Sequence, residues 1–225
     1  MPSAALREQL ASVLGSPLEW QARPAPELLP TGIPEVDALV GGLPRGCLTE
    51  VCGPVSSGRT CLLYAVMAQV AVREEVCALV DTDDTFDPVA AAAAGVDLAR
   101  LLWVRCGGRA EHALKAADLL VQGGGFGLVA LDLGDTPVEI ARRISLTSWF
   151  RLRRAVEHTP TVLLALERQP LAKTCASLVL ELRREAVLWS GAAGCSRLLR
   201  GLRAAAERRK PVRAARAWFE ARVWG

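Results

Sequence analysis

Apolar residues run along this chain in short unbroken blocks, and longer amphipathic stretches separate them. Leu48 to Cys52, Val76 to Asp81, Leu101 to Arg105, Leu128 to Leu133, Thr161 to Glu167 and Ser177 to Leu182 are such blocks. Short apolar runs without alternation read as strands covered on both faces. The stretches between them predict helices from Thr60 to about Arg73, Pro88 to Ala94, Glu111 to Val121, and Pro137 to about His158. A short helix is expected over 31–40, ahead of a turn at Gly41 to Gly46. Strands alternating with helices predict an α/β fold, a mainly parallel sheet with helices on both faces.

The ends read differently. Leu6, Leu10 and Leu14 would share one side of a helix over 4–14, and Pro17, Pro24, Pro26 and Pro30 break regular structure after it. The pattern divides the chain into a helical arm and Pro-rich linker over 1–29, a core over 30–190, and a basic C-terminal extension over 191–225. Within the extension, 198–209 reads as either helix or strand, and 213–224 alternates like a final strand. Gly123 to Gly127 lacks a strand before it and a helix after it, so it reads as a loop.

Composition narrows the class. A chain of 225 residues is one domain, or one with appendages, and a hydrophobic content of 51% excludes disorder as the default. No apolar run approaches the roughly 20 residues of a membrane span. The start lacks the charged and apolar blocks of a signal peptide, so the expected location is cytoplasmic, away from any membrane. Seven cysteines without a C-x-x-C pair read as buried hydrophobes in a reducing compartment, not as a disulfide or zinc framework. The net charge of +3 is small but unevenly spread: Arg197 to Arg216 holds eight basic residues and one acid, Glu207. Arg208, Arg209 and Lys210 adjoin one another there. Such a cluster serves either as a solvated face or as a nucleic-acid contact.

The chemistry centres on Gly53-Pro54-Val55-Ser56-Ser57-Gly58-Arg59-Thr60. This is the spacing of a phosphate-binding loop, set between a predicted strand and a predicted helix. Glycines let backbone N–H groups curl around a phosphate, and the helix start adds positive potential. One residue departs: the cation is Arg59, where the usual loop has Lys. A planar, forked guanidinium does not replace a compact ammonium, so binding is expected to be retained or weakened and hydrolysis slow or absent. Three acids end other strands, where an open parallel sheet binds ligands. Asp132 stands where such folds hold magnesium, with the Thr60 hydroxyl opposite; its alternative role is a turn or cap residue. Asp83 would orient an attacking water as general base. Glu167 would sense the terminal phosphate. His112 and His158 have no metal-ligand spacing.

These motifs, in this order, resemble the RecA recombinase family. Pro30 to Asp37 with Gly41 to Gly46 resembles that family's approach to the phosphate loop, and Gly53-Pro54-x-Ser56-Ser57-Gly58 is close to its signature. Val76 to Pro88 resembles the segment with the catalytic Glu, whose position Asp83 takes. Asp87 falls where the family contacts adenine, and Ala90 stands in place of the stacking Tyr. Gly95-Val96-Asp97 and Ala172 to Leu180 also match. The resemblance spans about 30–185 and implies a RecA-like P-loop NTPase core using ATP and Mg2+. Only five residues separate Glu167 from Lys173, where the family has a long DNA-binding loop, and no counterpart of its C-terminal domain is expected. The chain looks most like the reduced relatives of bacterial damage-response operons, the ImuA and SulA-like proteins linked to translesion synthesis. That likeness implies DNA repair, with RecA, a translesion polymerase, single-stranded DNA or a second copy as partners. An active DNA-dependent ATPase and a nucleotide-independent scaffold are the alternative readings.

Overall fold

The computed structural model describes residues 25–191, 197–212 and 216–222. The amphipathic stretch at 4–14 and Cys195 lie outside the described residues. An eight-stranded sheet organises the rest, in the spatial order β10-β9-β8-β3-β7-β6-β4-β5. Its strands are β3 (Cys47–Cys52), β4 (Cys77–Asp81), β5 (Leu101–Arg105), β6 (Leu128–Asp132), β7 (Val162–Glu167), β8 (Leu178–Ser190), β9 (Leu198–Lys210) and β10 (Arg216–Arg222). Neighbours from β8 through β5 run parallel, while β9 is antiparallel to both β8 and β10. Two short strands, β1 (Leu28–Leu29) and β2 (Leu43–Pro44), form a separate antiparallel pair.

Helices cover both faces, because the central strands are apolar on both. On one face α1 (Pro34–Val40), α2 (Arg59–Val72) and α3 (Pro88–Ala93) bury Leu62, Val66, Met67 and Val70 against Val51, Leu79 and Leu164. On the other, α4 (Ala110–Gly123) and α6 (Leu146–Val156) bury Leu114, Val121, Trp149 and Leu152 against Leu48, Val80 and Leu131. Burial pushes the Cys52 thiol up to about 12 and the Cys77 thiol to about 11, the behaviour of packed hydrophobes.

Two expectations change. The long helix over 137–158 is two: a single turn, α5 (Val138–Ala141), and α6, whose N-cap is Ser145. Ser145 is extended at its own φ and ψ, and its hydroxyl accepts from the Ser148 N–H, so it caps a new helix. The segment from Leu198 that read as helix or strand is a strand. It joins the core sheet, where Ala204 and Ala206 are fully buried beside Phe219 of β10.

Candidate nucleotide site

Gly53 to Gly58 leads from the end of β3 into α2, so the sheet delivers the loop to the helix start. Ser56 and Gly58 both have positive φ, 59° and 98°, the left-handed backbone that anion-binding loops use. Gly58 is the N-cap of α2 and supplies no side-chain acceptor, so the first-turn N–H groups are left for an anion. Gly53 is required for another reason: a Cβ there would lie 2.3 Å from the Leu182 carbonyl oxygen of β8. Behind Gly58 a Cβ would meet Phe219 and Ala204, so the loop rests on the C-terminal strands. Pro54, Val55, Ser56 and Thr60 are exposed, whereas Ser57 is buried and its hydroxyl has no hydrogen-bond partner.

Arg59 does not point into solvent. Its residue is 8% exposed, its Nη2 donates to the Gly134 carbonyl at 3.1 Å, and its Nη1 has no partner. Gly134 follows β6. Asp132 ends that strand and its Oδ1 accepts from the Gly134 N–H at 2.8 Å. Burial raises the Asp132 carboxyl to about 6, against the opposing pull of the Gly134 N–H and the Arg59 charge. A second guanidinium, that of Arg168, reaches the same carbonyl with its Nε at 3.0 Å. Arg59, Thr60, Asp132, Gly134 and Asp135 line one cleft of about 80 Å³. Thr60 and Asp132 thus bring two oxygen donors of the kind magnesium takes, but Arg59 already brings positive charge to their cleft. The residues present do not fit a divalent ion in addition to that guanidinium. Among the described residues, no group of three or more His, Cys, Asp and Glu forms a metal cage.

The loop after β4 is built on Asp81. This buried carboxylate accepts from the Thr85 and Phe86 amides and from the Trp103 Nε1 at 3.0–3.1 Å. Tyr64, Phe86 and Trp103 stack edge to face behind it. That frame holds Asp83, whose Oδ2 accepts from the Thr136 hydroxyl at 2.6 Å. Asp81 is paired in register with Asp132, so the two loops lie side by side. Asp87 caps α3, its Oδ1 accepting from the Val89 and Ala90 amides.

Glu167 ends β7 next to the phosphate loop, and its carbonyl accepts from the Gly53 N–H at 3.1 Å. Its side chain turns inward, where Glu50 of β3 faces it on the same side of the sheet. Burial raises both carboxyls, Glu167 well above the ordinary range. Glu50 Oε1 accepts from the Leu171 and Ala172 amides at 2.7 and 2.6 Å, clamping the short segment after β7. The two acids are coupled, and two buried carboxylates this close are stable only if they share a proton.

The basic cluster is tied to its own chain. Arg209 pairs with Glu181 at 2.6 Å and Glu207 at 3.0 Å. Arg208 donates to the Val212 and Leu39 carbonyls, and Lys210 to those of Thr174 and Ala176. Arg168, Asp81 and Glu50 were not singled out as site residues by the sequence. Asp81 was legible as a strand-end acid; Arg168 and Glu50 carry no local signal.

The comparisons with known proteins agree with this layout. The family model of the RecA N-terminal domain matches residues 21–138, just over half of the 225 residues. The chain belongs to the RecA family. It is similar to protein RecA of Symbiobacterium thermophilum, 33% identical over 162 residues, which cover 65% of this chain and 46% of that one. It is similar to protein RecA of Methylococcus capsulatus, 43% identical over 108 residues, 47% of this chain and 31% of that one. Protein RecA of Kineococcus radiotolerans is 31% identical over 157 residues, 63% and 45%. The match therefore spans less than half the length of these RecA relatives.

Proposed function

We propose that this chain is a RecA-like, ATP-binding protein of DNA repair and recombination that turns ATP over slowly or not at all. The single observation that carries the reading is the phosphate loop. The first turn of α2 has no side-chain cap, while the loop's one cation is held on the Gly134 carbonyl. Backbone amides supply most of the grip on phosphates, so binding survives the change to Arg. Transition-state stabilisation needs a cation that follows the charge developing on the transferring phosphoryl group, and a guanidinium tethered to the Gly134 carbonyl can hold a bound phosphate but not follow that charge. The base has room between the loop and the β8–β9 hairpin, in a cleft of about 240 Å³ that includes Cys61, Gly201 and Leu202. Asp87 is exposed beside Tyr64 and caps α3 through Oδ1, but it does not line that cleft.

In this reading the protein works in the cytoplasm in the SOS damage response, through RecA, a translesion polymerase, single-stranded DNA or a second copy of itself. Among the described residues no helix is long and apolar enough to cross a membrane. The test is equilibrium binding of a labelled, non-hydrolysable ATP analogue, followed by turnover with and without single-stranded DNA. Binding with turnover near background supports the reading; absence of binding would leave only a structural scaffold. The second reading, an active DNA-dependent ATPase, has one observation in its favour: Asp83 is held by Thr136 next to the Asp132 loop. Strong stimulation of turnover by single-stranded DNA would decide for it.

A further inference from the structure

Every phosphate-binding loop must offset the charge of its nucleotide, and the usual partners are a lysine and a divalent ion. Here the balance of charge differs. Arg59 and Asp132 flank the same point: a Cβ on Gly134 would lie 2.8 Å from Arg59 Nη1 and 2.9 Å from Asp132 Oδ1. The two groups thus come close to one point beside Gly134, and both line the cleft. Nη1 is buried there and has no partner, so its donor is free for an oxygen that enters the cleft. Arg168 adds a second positive charge on the Gly134 carbonyl. The cleft, at about 80 Å³, is small. A hydrated divalent ion on Asp132 would have to share it with one guanidinium and face another, and like charges repel most strongly where water is excluded.

We propose that Arg59 takes the place of the divalent ion: the chain binds a nucleoside triphosphate without magnesium, its guanidinium bridging the terminal phosphate and the Asp132 side of the cleft. The geometry suits this exchange. A guanidinium presents several donors in one plane, so Nη2 keeps the Gly134 carbonyl while Nη1 and its neighbours meet phosphate oxygens. The metal's other usual donor, the Thr60 hydroxyl, is exposed at the same mouth and can bond a phosphate oxygen directly. A lysine at position 59 would be a single-point cation and would leave Asp132 to recruit its own counter-ion.

The inference rests on the nucleotide-binding reading above, and one experiment separates the two. Affinity for a labelled, non-hydrolysable ATP analogue is measured on the full chain in excess magnesium and in excess EDTA. The same is done for Arg59→Lys and Arg59→Ala, each first shown to be folded by its far-ultraviolet spectrum and cooperative melting. The expected result is a dissociation constant for the parent that changes by less than about threefold between the two buffers. Arg59→Lys should bind about tenfold or more weakly in EDTA than in magnesium, and Arg59→Ala should lose affinity in EDTA above all. A parent that binds in magnesium and loses about tenfold or more in EDTA overturns the inference and leaves nucleotide binding standing. A folded parent that binds in neither buffer overturns both.

Discussion

Arg59, Asp132 and the Glu50–Glu167 pair place four ionisable side chains in or beside one strand-end cleft, three of them acids with raised titration points. The consequence for stability has a definite sign. A carboxyl whose folded value lies above its unfolded value keeps its proton in the native state where the unfolded chain would release it. Stability is therefore full below the unfolded value and falls as pH rises toward the folded one. For Asp132 that window runs from 3.8 to about 6, on the order of 2–3 kcal/mol before any ligand is bound. Glu167 extends the fall to higher pH. Glu167→Gln is close in shape to the protonated acid and cannot ionise. It should leave the melting temperature nearly unchanged at pH 4.5 and raise it at pH 7.5, by about 2–4 °C for each ~1 kcal/mol relieved. Melting curves of parent and variant at both pH values check this; an equal loss at both would show that Glu167 does not carry the shared proton.

The loop and the hairpin behind it act as a unit. Gly53→Ala would drive a methyl to within 2.3 Å of the Leu182 carbonyl, a backbone atom that cannot rotate away. The loop or β8 must shift, at a cost of about 1–3 kcal/mol, and analogue affinity should fall with it. Thermal melting and the binding measurement read the two effects separately. Ser145→Ala tests the break between α5 and α6: loss of the cap should destabilise by about 1 kcal/mol without altering nucleotide affinity. That break also shows where pattern reading stops. Hydrophobic spacing continues across 137–158, so periodicity alone predicts one helix, whereas the cap at Ser145 is a local geometry that a spacing rule does not weigh. Asp81 is similar. It was visible as an acid ending a strand, but its three bonds come from Thr85, Phe86 and Trp103, the last on a different strand.

The basic residues near the C-terminal end of β9 bind the chain together: Arg209 reaches Glu181 of β8 and Lys210 reaches the carbonyls of the segment after β7. Any DNA contact by Arg208, Arg209 and Lys210 has to compete with these bonds. Neutralising all three should abolish salt-sensitive binding of single-stranded DNA if they form that contact, and unchanged binding in a folded variant removes them from it. Arg209→Ala alone should destabilise by about 1–3 kcal/mol, read by melting, because it leaves Glu207 less well paired in a buried position. The α/β class, the central strands, the phosphate loop and the strand-end acids Asp83 and Asp132 were all legible in the amino-acid order. They depend on periodicity and spacing, which are local properties of a chain. Where Arg59 points, how Arg168 joins it, and why Glu50 faces Glu167 depend on strands far apart in sequence being laid side by side. Asp132 and Glu167 meet the phosphate loop only because β6, β7 and β3 are neighbours in the sheet, and burial at their ends sets the charge that each side chain can hold.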